Sequence, residues 1–237
     1  MAESPHPGLE RRLKAELAGD VHFDRFTRGR YATDASHYQI MPLGVVAPRS
    51  VKEVEHALAI AREEGASVLA RGAGTSQAGQ AINSSLVIDC SKYLNKIVSL
   101  DVANKRCVVQ PGIVLDELNR QLKPHGLWFP VDISTASRAT IGGMTGNNSC
   151  GTRSLRYGVT RDNVMAIDAV LPNGRPAHFG PVSADLSELP SDSPLRRIAK
   201  SLLALGAREA DEINERFPKV QRRVGGYNID EFVPKNE

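Results

Sequence analysis

The sequence predicts a mixed α+β fold, with short strands and a few helices arranged in two halves around glycine-rich loops. Three observations carry that expectation. Apolar or β-branched runs bounded by Gly, Pro or Asn follow the order β, α, β, β, β, α, β-hairpin, α, which is not the regular alternation of a doubly wound sheet. Two glycine-rich segments, at 71–79 and 139–164, fall one in each half. A Pro-, Ser- and Asp-rich connection, PVSADLSELPSDSP at 181–194, separates the strands from a helical tail.

Strands are expected at 43–48, 67–70, 86–89 and 107–110. Between the first two, SVKEVEHALAIAREEG reads as a helix: Ser50 and Glu53 form a capping box, Val51, Val54, Leu58 and Ala61 line one face, and Gly65 closes the end. A second helix follows Pro111-Gly112, with Leu115, Leu118 and Leu122 on one face, and ends near 124–126. VMAIDAVLPNGRPAHF reads as a hairpin about Pro-Asn-Gly. In SPLRRIAKSLLALGAREADEINERF, Ser193 is the N-cap and Pro194 the first helical residue.

Composition narrows the function classes. The 237 residues carry 30 Lys+Arg against 27 Asp+Glu and are 41% hydrophobic, an ordinary globular balance. No apolar run approaches the ~18 residues of a membrane span. The N-terminal stretch lacks an apolar signal core, and Glu3, Glu10, Glu16 and Asp20 do not suit a transit peptide, so a cytoplasmic location is expected. A net charge of +3 is too small and dispersed for nucleic acid, and the pairs Arg196-Arg197 and Arg222-Arg223 read as solvated helix faces. Cys90, Cys107 and Cys150 are far apart, without metal-ligand spacing, and read as free thiols; no metal site is expected. The six histidines show no triad-like or metal-like spacing.

The segment from Arg71 through Gly72, Ala73, Gly74, Thr75, Ser76, Gln77 and Ala78 to Gly79 directly follows a strand. Glycines there allow positive φ and close backbone approach, so that successive N–H groups can converge on an anion. The spacing is not a Rossmann fingerprint, because the loop runs on into another strand, and a Walker A lysine is absent. A ligand-free hairpin loop would share this composition. The second cluster, ATIGGMTGNNSCGTRSLRYGVTRDNV, places Gly142, Gly143, Gly146 and Gly151 among small polar residues, too poor in large apolar side chains to read as core. Together the two clusters suggest a long ligand held between the halves.

These motifs, RGAGTSQAG, PGIVLDELNRQL and GLWFPVDISTASRATIGGMTGNNSCGTRSLRYGVTRDNV in that order, resemble the FAD-binding domain of the FAD-linked oxidases, the vanillyl-alcohol oxidase or p-cresol methylhydroxylase type. Within it, the chain is most similar to the D-lactate, glycolate-oxidase-subunit and D-2-hydroxyglutarate dehydrogenase branch, including large forms fused to an iron–sulfur segment. The likeness spans roughly 31–232. It implies a helical extension at 1–30 and a two-lobed FAD-binding domain at 31–237, with one lobe at about 31–111 and the other from about 112, incomplete at the C-terminus. A cap domain that holds most substrate-binding groups in the family has no counterpart here, so the chain looks like an N-terminal fragment.

Residue by residue, the resemblance implies that Arg71, Gly72, Ala73, Gly74, Thr75, Ser76, Gln77 and Gly79 lie on the diphosphate loop. Pro130, Asp132, Ser134 and Thr135 fall beside the flavin, and Ile141, Gly142, Gly143, Asn147 and Gly151 on the second loop. Gly158, Asp162 and Val164 match a further YGxxxDNV stretch, and His37 and Tyr38 a segment near the flavin edge. Members that attach FAD covalently often carry His in the first loop, where Thr75 and Ser76 stand here, so FAD is expected to be non-covalent. Cys150 is expected to be an inert thiol, and Trp128 and Phe129 to be buried. The resemblance implies a flavin-dependent oxidoreductase acting on a 2-hydroxy acid, its catalytic base outside the chain and its electron acceptor open. A cofactor-binding fragment without turnover, and a nucleotide-sugar reductase of the same fold, are the alternatives.

Overall fold

The structure is a computed structural model that describes residues 6–220 and 223–233; Glu3 and Arg222 lie outside the described residues. The chain opens with α1 (Pro7–Glu16), β1 (Asp20–His22) and α2 (Arg25–Arg30), followed by β2 (Gly44–Ala47), α3 (Val51–Glu63), β3 (Val68–Arg71) and β4 (Leu86–Asp89). The four strands form one sheet in the order β1-β2-β4-β3. β4 pairs in parallel with β2 and β3, and β1 runs antiparallel along β2, with Asp20 opposite Ala47. β2 and β4 are buried at every residue, which explains why GVVA and LVI are continuous apolar runs rather than alternating ones, and β4 ends on Asp89, buried against the Tyr31 hydroxyl.

α3 packs across this sheet. Ser50 Oγ accepts from the Glu53 N–H at 3.3 Å, as expected, but the Glu53 carboxylate accepts from the N–H of Arg49 rather than that of Ser50. At the other end Ala66 N–H donates to Ala61 O at 2.7 Å and Gly65 N–H to Arg62 O at 3.2 Å, while Gly65 takes φ +68°. That pair of bonds satisfies the last carbonyls and ends the helix. Ala57, Ile60 and Ala61 form the buried face; Val51, expected on it, is half exposed because it occupies the first turn. Leu9 and Leu13 of α1 are fully buried in the same core, beside Phe23, Val46 and Leu86. Residues ahead of 31 thus contribute to the first core.

A second core begins with an antiparallel hairpin, β5 (Ile97–Asp101) and β6 (Arg106–Val109), followed by α4 (Leu115–Leu122) and α5 (Ile141–Asn147). Leu115, Leu118 and Leu122 are buried there with Ile113, Val131 and Met144, and Ile97, Leu100, Cys107 and Val109 pack against them. The composition of the second glycine segment predicts a loop without core residues. Instead IGGMTGN is helical, capped by Thr140 Oγ1 on the Gly143 N–H, and anchored by buried Ile141 and Met144. Core contacts and the cap outweigh the poor helix propensity of three glycines.

Beyond α5 come two short helices, α6 (Ser154–Tyr157) and α7 (Thr160–Asn163), and the expected hairpin, β7 (Ile167–Val170) with β8 (Pro176–Phe179). The helical tail is two helices, α8 (Pro194–Arg208) and α9 (Ala210–Arg216), rather than one. Ser193 Oγ caps α8 through the Arg196 N–H at 3.1 Å, as expected. Gly206 lets α8 press on the 3-10 turn Ile229–Phe232: a Cβ on it would lie 2.2 Å from Phe232 O.

Candidate cofactor site

The first glycine loop leaves the C-terminal end of β3, where a parallel sheet presents its ligand-binding edge. Gly74 and Gly79 take φ +68° and +78°, the left-handed region that the glycines of this loop were placed to allow. Among the described residues, the main-chain N–H groups of residues 73–77 donate to no protein acceptor. A run of five free donors, with the hydroxyls of Thr75 and Ser76 and no carboxylate between residues 65 and 88, suits a diphosphate.

The loop is held from behind. Arg71 is 9% exposed, and its guanidinium donates from Nη1 to Tyr31 O (3.1 Å) and Ala81 O (2.8 Å) and from Nη2 to Thr33 O (2.8 Å). Burial lowers its pKa, opposed by Tyr31, Asp89 and Asp34. The guanidinium also lies 5.2 Å from the Tyr31 ring centroid. Tyr31 in turn donates its hydroxyl to buried Asp89 at 2.5 Å, and burial together with that carboxylate raises the phenol pKa. Ala35 N–H donates to Ser76 O at 3.0 Å, and the Tyr38 ring lies against Gly79, where a Cβ would come within 2.8 Å of it. The 31–38 segment is therefore a wall of the loop, of which the resemblance implied only that His37 and Tyr38 lie near the flavin edge.

The second glycine segment meets the first. A Cβ on Gly72 would lie 2.2 Å from Thr140 Oγ1, the atom that also caps α5, and Gln80 Nε2 donates to Asn147 Oδ1 at 2.8 Å. Within α5, the N–H groups of Ile141 and Gly142 donate to Ile113 O and Pro111 O, and the Ile141 side chain is buried in the core. Gly143 and Gly146 face open space on their outer sides, apart from Thr140 Oγ1 at 3.2 Å from a Cβ on Gly143. Thr140, a buried hydroxyl that touches both segments, was not singled out in the sequence; its signal was a Thr one residue ahead of Ile-Gly-Gly, masked by the glycines.

Asp132 ties the 151–153 turn. Its carboxylate accepts from Thr152 Oγ1 (2.7 Å) and Arg153 N–H (2.8 Å), and a Cβ on Gly151 would lie 1.8 Å from Asp132 O. Burial alone would raise the Asp132 pKa, but these donors outweigh it and hold the carboxyl below the usual range. A depressed folded-state pKa means stabilisation that is complete above the unfolded carboxyl pKa and is lost as pH falls through the folded value. Asp132→Asn is expected to lower the melting temperature near neutrality, with the gap to wild type narrowing below about pH 4; a constant gap across a pH series of thermal melts would contradict this.

Of the other expected site residues, Pro130 is half buried, Ser134 is exposed, and Thr135 O accepts from Arg138 and Ala139 N–H at 2.8 Å each. Gly158, at φ +79°, Asp162 and Val164 lie on α7 and its flanks: Asp162 Oδ2 accepts from Val159 N–H, and Thr160 donates twice to Ser149 O. Thr160, with the Arg161 N–H that donates to Asn148 Oδ1 at 2.9 Å, fastens the 148–149 stretch. Trp128, expected to be buried, is 42% exposed, lying edge-on to Tyr157 under the Arg153 guanidinium; Phe129 does pack on the second core. Burial pushes the Cys90 thiol up to about 11 and raises Cys107 as well. Among the described residues no cluster could hold a metal ion, and no helix is long and apolar enough to cross a membrane.

A loop of free N–H groups at the edge of a parallel sheet, facing a glycine-rich helix from a second core, defines a domain that binds a nucleotide cofactor. Comparison with known proteins gives the family: residues 42–180 match the FAD-binding domain model, and the chain belongs to that family, with FAD as its cofactor. It is 35% identical to D-2-hydroxyglutarate dehydrogenase of Pantoea ananatis over 95% of its own length, but spans only 23% of that relative. It is 38% identical to glycolate oxidase subunit GlcD of Bacillus subtilis, over 67% of this chain and 35% of that one. Among solved structures, an alkyldihydroxyacetonephosphate synthase superposes with TM-score 0.67 at 23% identity, covering 81% of this chain and 40% of its own. A BBE-like protein of Physcomitrella patens superposes with TM-score 0.64 at 21% identity, over 73% of this chain and 37% of its own. The fold is thus the α+β FAD-binding fold of the FAD-linked oxidases.

Proposed function

We propose that the chain is the FAD-binding part of an enzyme that oxidises a 2-hydroxy acid of the D-lactate, glycolate or D-2-hydroxyglutarate class. The observation that carries this reading is the likeness, along nearly the whole chain, to D-2-hydroxyglutarate dehydrogenases of Pantoea ananatis and Escherichia coli, at 35% and 34% identity. FAD, when bound, supplies a two-electron acceptor at flavin N5 for the C2 hydride of the substrate, while a base takes the hydroxyl proton and the 2-oxo acid results. The N–H groups of residues 73–77 bind the diphosphate and the 132–135 segment lies beside the flavin, with the two lobes meeting at Gly112. The base is supplied from outside this chain. Electrons leave to a further acceptor, an iron–sulfur segment being the reading that the fused forms suggest, and the three separate thiols suit a reducing cytoplasm.

The share of the relatives that the chain spans favours a second reading for the polypeptide taken alone, a cofactor-binding fragment without turnover. Visible absorption of the purified protein before and after denaturation tests the first step: released FAD is expected, and a colourless protein that takes up no added FAD would overturn the reading. Adding D-2-hydroxyglutarate, D-lactate or glycolate anaerobically to the full-length enzyme is expected to bleach the flavin, whereas the same additions leave this chain yellow. No bleaching of the full-length enzyme by any of the three would remove the substrate class.

The flavin is held without a covalent bond. The first loop offers only Thr75 and Ser76 where covalent members of the family place His, and Cys150 is half buried. Cys150→Ser is therefore expected to retain flavin that acid precipitation releases in full, as it does from wild type. Flavin that stays with precipitated wild type but not with the serine variant would show a thioether instead.

A further inference from the structure

The Arg71 guanidinium lies beneath the glycine loop, and its three hydrogen bonds all go to main-chain carbonyls that border the loop: Tyr31 and Thr33 in the wall segment and Ala81 where the loop leaves. The loop curls over the guanidinium, since a Cβ on Gly74 would lie 2.4 Å from Nη2 and 2.9 Å from Cζ. Among the described residues no carboxylate bonds to it directly: Asp34 and Asp89 favour its charge from a distance, while its hydrogen bonds go to neutral oxygens and its face lies over Tyr31. Such an arrangement fixes geometry: a planar fork can hold carbonyls from two directions at once, which an ammonium on a flexible stem cannot.

We propose that Arg71 is the positioning residue of the diphosphate loop. By clamping the carbonyls of residues 31, 33 and 81 it draws the loop into the form in which the N–H groups of residues 73–77 converge, and it does so without contacting the diphosphate. This rests on the FAD reading above and goes beyond it, because a cation beside a glycine loop would otherwise be taken for a phosphate ligand. Two consequences separate the roles. A phosphate ligand tolerates lysine, which keeps the charge; a clamp does not. A clamp also orders the loop before any cofactor arrives, and the Ala35 N–H, bonded to Ser76 O at 3.0 Å, reports on that order.

The test compares wild type with Arg71→Lys, Arg71→Met and Arg71→Ala by FAD titration calorimetry and by amide hydrogen exchange without FAD. Lysine and methionine are expected to weaken FAD binding alike, by roughly 30-fold, the loss of one or two charged hydrogen bonds. Exchange at Ala35 accelerates in both, while the amide of Val87 in the central strand stays protected, showing that the sheet is intact. Millimolar methylguanidinium is expected to restore FAD affinity and Ala35 protection to Arg71→Ala. Wild-type affinity in the lysine variant together with loss in the methionine variant would assign Arg71 to the phosphate and overturn the proposal. Unchanged Ala35 exchange in all three variants would overturn it as well. Should wild type bind no FAD, the cofactor reading fails by itself, and the exchange comparison still decides whether Arg71 shapes the loop.

Discussion

Gly74→Val is expected to yield a folded, colourless protein whose dissociation constant for FAD rises at least 100-fold. The residue sits at φ +68°, a region that costs an L-residue about 1–2 kcal/mol and a β-branched one more. The new Cβ would lie 2.4 Å from Arg71 Nη2. A free arginine would swing aside, but this one is fastened to three carbonyls, so relief comes only by giving up those bonds or by moving the loop. Either way the N–H groups of residues 73–77 lose their common focus. The sheet lies outside the disturbance, so the far-ultraviolet circular dichroism is expected to match wild type. Full retention of flavin by the variant would sink the assignment of this loop to the diphosphate.

Gly112→Ala is expected to damage stability rather than binding alone. Gly112 is buried where the two cores join, donating its N–H to Leu94 O at 2.7 Å. A methyl group there would lie 2.0 Å from Cys90 O and 2.7 Å from Leu94 O, both main-chain atoms that no rotamer change can move away. Overpacking against backbone at such a junction is expected to cost about 3 kcal/mol, seen as a fall of about 1–2 M in the urea midpoint. An unchanged midpoint would mean that the 90–94 stretch yields freely, contrary to the packing of fully buried Leu94.

How far these sites could be read from sequence depends on whether the deciding partner is near in the chain. β2 and β4 were legible because parallel central strands are apolar throughout, and the end of α3 because Gly65 carries its own signal. β1 was not, since Asp-Val-His has no pattern of its own and is a strand only because Ala47, Val46 and Val45 lie opposite. β5 was missed although its partner β6 was expected: the outer side chains, such as Val98, are exposed, so the alternation of a half-buried strand is blurred. α5 was hidden by three glycines whose helical state is decided by Pro111 and Ile113, about thirty residues upstream. The glycine loops themselves were plain from composition, and so was FAD, through the ordered motifs. What could not be read was how residues 31–38 pack on the loop: the resemblance implies that His37 and Tyr38 lie near the flavin edge, but nothing in TDASHY announces that Ala35 will meet Ser76.

The partners that brace the first glycine loop also set a schedule for making the protein. Tyr31, Thr33 and Ala35 lie upstream of the loop and Ala81 directly after it, and the sheet beneath it is complete at Asp89. Thr140 and Asn147, which join the loop to α5, are translated later. At about 5–20 residues per second, a ribosome takes several seconds to add that stretch. The residues that brace the first glycine loop are therefore all made before the second core, and the loop's contacts with α5 are the last to become available.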